Sequence, residues 1–298
     1  MEKKASVCII LAGILWGSMG IFVRKLGTYG FTSLQIASLR IIVGALIFLA
    51  VIFFADRKKL KIELRDLGWF LGLGIGSILM FTVFYFTTIS MASLSVAAIL
   101  LYTAPIMVML MSLVLFREKL TVRKAAALAM AFSGCILVTG FTGGTQISAA
   151  AAGFGLLSGF GYGLYSILGT YVLRKYEPLT VTTYAFLCGG AGALAICNPP
   201  DIAAKIHRAD DSGFLLLLIL LTAFVTAVLP YLLYTVGLAS TKASSASIMA
   251  SVEPVVATVA GVVVFHETLT LASLAGILLV LGAITILNTG KRSSASNA

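Results

Sequence analysis

Charge is scarce in this chain. Asp, Glu, Lys and Arg make up 11% of 298 residues, against 60% hydrophobic residues. A soluble domain carries about a quarter charged residues to cover its core. This composition therefore excludes an ordinary soluble protein, as does the mean hydropathy of +1.07. Histidine is limited to His207 and His266, both in or beside loops. His266-Glu267 is not followed by a second histidine four residues after the first, so the zinc-protease spacing is missing. No predicted helix contains an aspartate, which leaves a dyad for intramembrane hydrolysis little to draw on. GxxxxGK[ST] does not occur, so ATP hydrolysis by this chain is not expected. The four cysteines, Cys8, Cys135, Cys188 and Cys197, lie in or at the end of apolar segments without CxxC spacing. They read as small apolar helix residues rather than metal ligands or disulfide partners. No cofactor or metal is implied.

What the chain does have is long apolar runs. A bilayer core takes about 20 apolar residues per helical span. Ten such segments can be marked: 5–23, 34–54, 67–89, 95–116, 125–141, 153–173, 181–197, 214–238, 245–265 and 271–287. They are continuously apolar, without the alternation of a membrane β-strand, so they read as helices. The connections are short and leave no room for a separate soluble domain. The first segment follows Met-Glu-Lys-Lys but runs long, continues into Arg24-Lys25 and lacks a small-residue cleavage site. It reads as a retained helix rather than a signal peptide.

The basic residues are distributed unevenly. With the amino terminus inside, the inner loops and ends collect sixteen of the 21 Lys and Arg residues. Arg24, Lys25, Lys205 and Arg208 fall outside, and Arg40 lies within a segment. Excess Lys and Arg mark cytoplasmic loops, so both termini are expected on the cytoplasmic side of the cell membrane. The bias accounts for the net charge of +10 without a nucleic-acid partner, which would need a basic face on a folded surface.

The sequence also repeats itself. LSVAAILLYTAPIMVMLMSLVLFREKLT (Leu94–Thr121) aligns with ASSASIMASVEPVVATVAGVVVFHETLT (Ala243–Thr270) at an offset of 149 residues. Pro105 falls on Pro254, Glu118 on Glu267, Thr121 on Thr270 and, upstream, Tyr85 on Tyr234. Trp16-Gly17 corresponds roughly to Tyr162-Gly163, and Gly44 to Gly189. Each half, 1–145 and 146–298, then holds five helices. Five is odd, so the second half enters the membrane from the opposite side. The expected fold is an all-α membrane protein of ten helices in two inverted five-helix repeats. Paired, proline-interrupted segments in such halves point to a carrier with its site between the repeats.

The whole chain resembles the drug/metabolite transporter superfamily, and within it the EamA-type ten-helix members. The resemblance rests on LWGS (Leu15–Ser18), SLRIIVGAL with Arg40, AAILLYTAPIMVML and REKLT. The second half repeats it as ASIMASVEPVVATVAGVVVFHETLT and LAGILLVLGAITIL. It implies a cytoplasmic-membrane carrier of small organic solutes, often an exporter of amino acids or other metabolites. A proton-coupled multidrug carrier, a nucleoside or sugar-type carrier, and a membrane-embedded lipid-modifying enzyme are the alternatives. Monomer and homodimer both stay open. Family members often place a glycine before each helix-end glutamate, where this chain has Arg117 and His266.

Individual residues sharpen the expectation. Pro105 and Pro254 remove a helix donor and clash with the carbonyls of Leu101 and Ala250, so they are expected to kink their helices beside a hydrated cavity. Glu253 is a carboxylate inside an apolar segment, where a charge is costly and by default functional. It suits proton coupling or binding of a cationic group; the alternative is a neutral, hydrogen-bonded structural residue. Its counterpart is Ala104. Arg40 suits pairing with an acidic substrate group, or with Glu253 if the helices meet, or a reach to the outer interface; a structural or gating role is expected over direct substrate contact. Glu118 and Glu267 read as helix-end residues near the N-caps Thr121 and Thr270. Trp16, Phe81, Tyr85, Tyr102, Tyr162, Tyr165, Tyr231 and Tyr234 lie inside segments and suit an amphipathic pocket. The repeat-related Tyr85 and Tyr234 lead that group. Gly72, Gly74 and Gly76 read as a close helix contact.

Overall fold

The computed structural model describes residues 2–140 and 147–295, and no strand occurs among them. Ten long helices follow in chain order. They are α1 Lys3–Gly27, α2 Ser33–Ala55, α3 Leu64–Met91, α4 Leu94–Leu115 and α5 Val122–Val138. The second half supplies α6 Ala149–Val172, α7 Pro178–Ile196, α8 Ser212–Leu238, α9 Ala243–Phe265 and α10 Leu271–Thr289. All but α5 are long and apolar enough to cross a membrane. At 17 residues, α5 sits at the lower limit of about 17–25 residues for a span. Each predicted segment meets one helix. The end of the fifth segment at Phe141, and the boundary between residues 145 and 146, lie outside the described residues. A short surface helix, Pro199–Arg208, joins α7 to α8 and carries Asp201. It overturns the expectation that no helix contains an aspartate. Asp201 accepts from Lys205 at 2.6 Å and from Gln35 at 2.7 Å. These partners hold its carboxyl below the usual range, Lys205 most strongly.

Local chemistry sets the helix ends. Thr32 and Gln35 form a capping box at the start of α2. Ser93, Thr121, Ser148 and Thr270 each accept from a backbone N–H of the first turn they precede, satisfying one orphan donor. The expected N-caps Thr121 and Thr270 are therefore present. At the ends of α4 and α9, Arg117 and His266 adopt φ of 51° and 56°. This left-handed turn is one that glycine makes without strain. Here it closes instead by the bonds Glu118 N to Ser112 O and Glu267 N to Gly261 O, both 3.2 Å. The two turns obey the 149-residue offset and return the chain for the next helix.

The helices pack as an inverted repeat requires. Helix α1 packs on α8, and α3 on α6; α2 pairs with its counterpart α7, and α5 with α10. Exchanging the halves maps the first two contacts onto each other and the last two onto themselves. A Cβ on Gly74 would stand 2.3 Å from the Ala185 carbonyl, so the central glycine of that stretch does serve close packing, of α3 on α7. The faces turned away from the bundle expose Leu46, Phe54, Val114, Val263 and Leu278, as a lipid-facing belt does.

Two irregularities recur in both halves. Helix α4 opens at Tyr102–Thr103 and α9 at Ser251. Pro105 and Pro254 sit in the first turn of the segments that restart at Ala104 and Val252. There a proline needs no N–H, so each follows a break rather than kinking a continuous ladder. Both prolines are buried and neither lines the central cavity, which corrects the expectation above. The carbonyls of Leu101 and Ala250 turn instead toward bare backbone. A Cβ on Gly159 would lie 3.2 Å from the former, and one on Gly13 3.0 Å from the latter. The second irregularity is a π-helical stretch, Gly72–Leu79 in α3 and Phe224–Val228 in α8. Such stretches free backbone groups and frequently occur at functional sites.

Candidate substrate site

Helices from both halves converge on one small cavity near the middle of the bundle. Arg40 of α2 and Glu253 of α9 line it, together with aromatic residues of α1, α3, α4, α6 and α8. Glu253 arrives there because α9 restarts at Val252, which places the carboxylate in the first turn of the new segment. Helix α1 approaches closely at that point because Gly17 of the LWGS motif has no side chain. A Cβ there would lie 2.6 Å from both the Glu253 carbonyl and the Val256 Cβ. Tyr162 Oη donates to Glu253 Oε2 at 3.2 Å.

Arg40 is fixed by the irregular backbone of α8. Its Nη2 donates to the Thr226 carbonyl at 2.7 Å, inside the π-helical stretch. Arg40 Nε is buried and has no hydrogen-bond partner among the described residues. Among the described residues, neither Arg40 nor Glu253 belongs to an ion pair. Arg40 and Glu253 thus line one cavity without direct contact as an ion pair. The Arg40–Glu253 pair, one of the alternatives read from the sequence, does not form.

Aromatic rings build the walls. Trp16 packs edge-on against Tyr231 at 5.2 Å and Tyr162 at 6.1 Å, and tilts against Tyr234 at 5.4 Å. Phe81 meets Tyr162 edge-on at 5.6 Å. Tyr85 and Tyr102 line the same cavity. The cavity measures about 60 Å³, far below the roughly 300–1,000 Å³ of small-molecule sites. It is contracted, and a solute of more than a few atoms requires the helices around it to move.

Tyr165 and Tyr234 occupy a separate layer, one turn further along α6 and α8. Tyr165 Oη bonds Thr235 Oγ1 at 2.8 Å, and Ser166 Oγ bonds Tyr234 Oη at 2.6 Å. Thr235 spends its own proton on the Tyr231 carbonyl, so Tyr165 is the donor. Beyond this layer lies an open vestibule of about 810 Å³, reached by Thr170 of α6, by Leu173 just after that helix and by Leu238 of α8. The amino-terminal end of α1 lies on this same face, with Ala5 O against Gly237. The repeat-related Tyr85 and Tyr234 therefore face different surroundings: Tyr85 lines the central cavity, whereas Tyr234 helps to close it off from the vestibule. Sequence reasoning missed Ser166 and Thr235, because small polar residues in membrane helices commonly bond their own preceding turn.

The helix-end glutamates cross-link the halves at opposite faces. Glu118 accepts from Lys124 Nζ at 2.7 Å and from Ser244 Oγ, and Lys124 also donates to Ser244. That carboxylate and ammonium are both nearly buried. Glu267 instead meets Arg24 of α1, both half-exposed to solvent, and Arg24 stacks over Phe265. The caps at these helix starts come from the threonines; the glutamates hold cations.

Comparison with known proteins agrees with this architecture. An uncharacterized transporter of Archaeoglobus fulgidus is 30% identical over 290 residues, 95% of this chain and 96% of that protein. The uncharacterized inner membrane transporter YicL of Salmonella typhimurium is 22% identical, with 99% of each chain covered. A crystal structure covering 98% of this chain and 99% of its own superposes with a TM-score of 0.78 at 16% identity, which shows a shared fold. The profile of the EamA-like transporter family matches twice, over residues 3–140 and 149–289. With both copies matched and ten helices in two inverted halves around a cavity, this membrane transporter chain belongs to the EamA-like family.

Proposed function

We propose that the chain exports amino acids or related metabolites across the cell membrane by alternating access. One observation carries the substrate class. Arg40 and Glu253 line the same aromatic-walled cavity and leave each other unpaired. A buried charge without a partner is costly. A zwitterion supplies both partners at once: its carboxylate meets Arg40 and its ammonium meets Glu253. The faces of Trp16, Tyr162 and Tyr231 add cation–π attraction for the ammonium and apolar contact for a side chain. Neither a neutral sugar nor a purely cationic drug uses both charges.

Alternating access is then a rocking of the halves 1–145 and 146–298 about this cavity. The Tyr165–Thr235 and Ser166–Tyr234 bonds close α6 on α8 between the cavity and the vestibule. The counterparts of Tyr234 and Thr235 in α3 are Tyr85 and Phe86, which face Met19 of α1 across the central cavity. The charge bias of the loops supports a vestibule that faces the cytoplasm and serves as the loading side. An impermeant thiol reagent added from outside is expected to spare a cysteine at Lys58 and to label one at Ser148; the reverse pattern refutes the orientation. For the function itself, purified protein in liposomes preloaded with amino acids is expected to show saturable counterflow of labelled amino acids. Counterflow of nucleosides or cationic drugs alone contradicts the proposal.

A further inference from the structure

The vestibule is itself within the size range of a ligand site. Its volume of about 810 Å³ compares with roughly 300–1,000 Å³ for small-molecule pockets. We infer that it is an oxyanion-binding site that takes a carboxylate or phosphate group. Four cations line it, Arg123, Lys124, Arg174 and Lys242, against one carboxylate, Glu118. Lys124 already neutralises Glu118 in the buried network with Ser244. Arg123, Arg174 and Lys242 form no ion pair among the described residues. The cavity thus keeps three uncompensated positive charges.

Two features show that this is more than the general excess of basic residues on one face. First, the starts of α5 and α9, one from each half, both reach the cavity through Thr121, Arg123, Lys242 and Ala243. Helix N-termini present free N–H groups and a positive dipole end to an anion. Here α9 begins at Ala243 without a side-chain cap; Ser245 N donates to the Lys242 carbonyl, which leaves the Ala243 and Ser244 N–H groups at its start. Second, Arg174 is held in place. Its guanidinium lies 5.0 Å from the Tyr171 ring centre and 5.8 Å from that of Phe116, and those rings pack on each other at 4.9 Å. A preorganised guanidinium suits the two oxygens of a carboxylate or phosphate. Low-dielectric walls around one sign of charge also raise the local concentration of anions.

The oxyanion comes either from a free solute or from the headgroup of an anionic lipid in the adjoining leaflet. Thermal unfolding of the full chain in nanodiscs separates the two. In phosphatidylcholine discs, inorganic phosphate is expected to raise Tm beyond chloride at matched ionic strength, since a ligand of the folded state stabilises it by mass action. In the double variant Arg174→Gln, Lys242→Gln, the apparent Kd for phosphate should weaken about tenfold, as loss of two partly exposed charges implies. If the double variant fails to fold, Lys242→Gln alone should weaken it about threefold. In phosphatidylglycerol discs the wild-type phosphate response disappears if headgroups occupy the site and persists if free solutes do; either result upholds an oxyanion site. Equal stabilisation by chloride and phosphate overturns the inference, as does an unchanged Kd in the variants. No transported solute is present, so the outcome is independent of the amino-acid proposal.

Discussion

Glu253→Gln is expected to weaken amino-acid binding at least about 30-fold, the loss typical when one partner of a buried charge pair is removed. The same variant should bind the deaminated acid as well as, or better than, the wild type does. The reason is geometric. Glu253 and Arg40 line one cavity with no ion pair between them among the described residues, and in the proposed function each takes its partner from the solute. Glutamine keeps the shape and can still accept from Tyr162. Only the charge that attracts an ammonium disappears. Arg40→Gln is the reciprocal case. It removes the charge that attracts a carboxylate and should lose discrimination against the decarboxylated amine. Equilibrium binding of labelled solute to purified variants measures both effects. If Glu253→Gln keeps normal counterflow and loses only stimulation by a pH gradient, Glu253 carries a proton rather than an ammonium, and this reading of the pocket fails.

Loosening the tyrosine layer should open the vestibule side without any solute. Two buried interhelical bonds, Tyr165–Thr235 and Ser166–Tyr234, join α6 to α8. Each contributes roughly 0.5–1.5 kcal/mol. Removing both hydroxyls in Tyr165→Phe, Tyr234→Phe then shifts the closed-to-open ratio by about 2 kcal/mol, close to 30-fold. The equivalent positions of the first half do not offer the same hydroxyl pairs. Phe86 stands where Thr235 does, and Met19 and Gly20 where Tyr165 and Ser166 do. The inverted repeats therefore share a fold but differ in the hydroxyl pairs at this layer, and the alternating-access proposal predicts an empty carrier biased toward closure on the vestibule side. Spin labels at Leu173 and Ala239 report this as a growing long-distance population in pulsed EPR of the double variant. An unchanged distance distribution means that the layer is packing rather than a latch.

The ten spans were legible because continuous apolar runs admit one structure in a bilayer, a helix that satisfies its own backbone. The repeat was legible because prolines, glutamates and threonines recur at one offset. Arg40 and Glu253 stood out as lone charges in apolar segments. What stayed hidden depends on backbone irregularity and on partners far apart in sequence. Nothing in Phe224–Val228 announces a π-helical stretch, so the Thr226 carbonyl that fixes Arg40 could not be foreseen. Pro105 and Pro254 were visible, but whether a proline kinks a helix or begins its second segment depends on the break before it. The left-handed turns at Arg117 and His266 form without the glycine that the resemblance led one to expect. Tyr85 and Tyr234 align in sequence yet face different surroundings, because the inverted halves are not in the same local state.

The central claim is that the cavity between the halves recognises both ends of a zwitterion. The most direct measurement is competition against labelled amino-acid counterflow in wild-type proteoliposomes, using phenylalanine, phenethylamine and phenylpropionate as competitors. All three carry the same ring; the first has both charges and the others one each. Phenylalanine is expected to compete at least about 30-fold more strongly than either analogue. Equal competition by phenylalanine and phenethylamine would show that Arg40 has no part in recognition and would contradict the account.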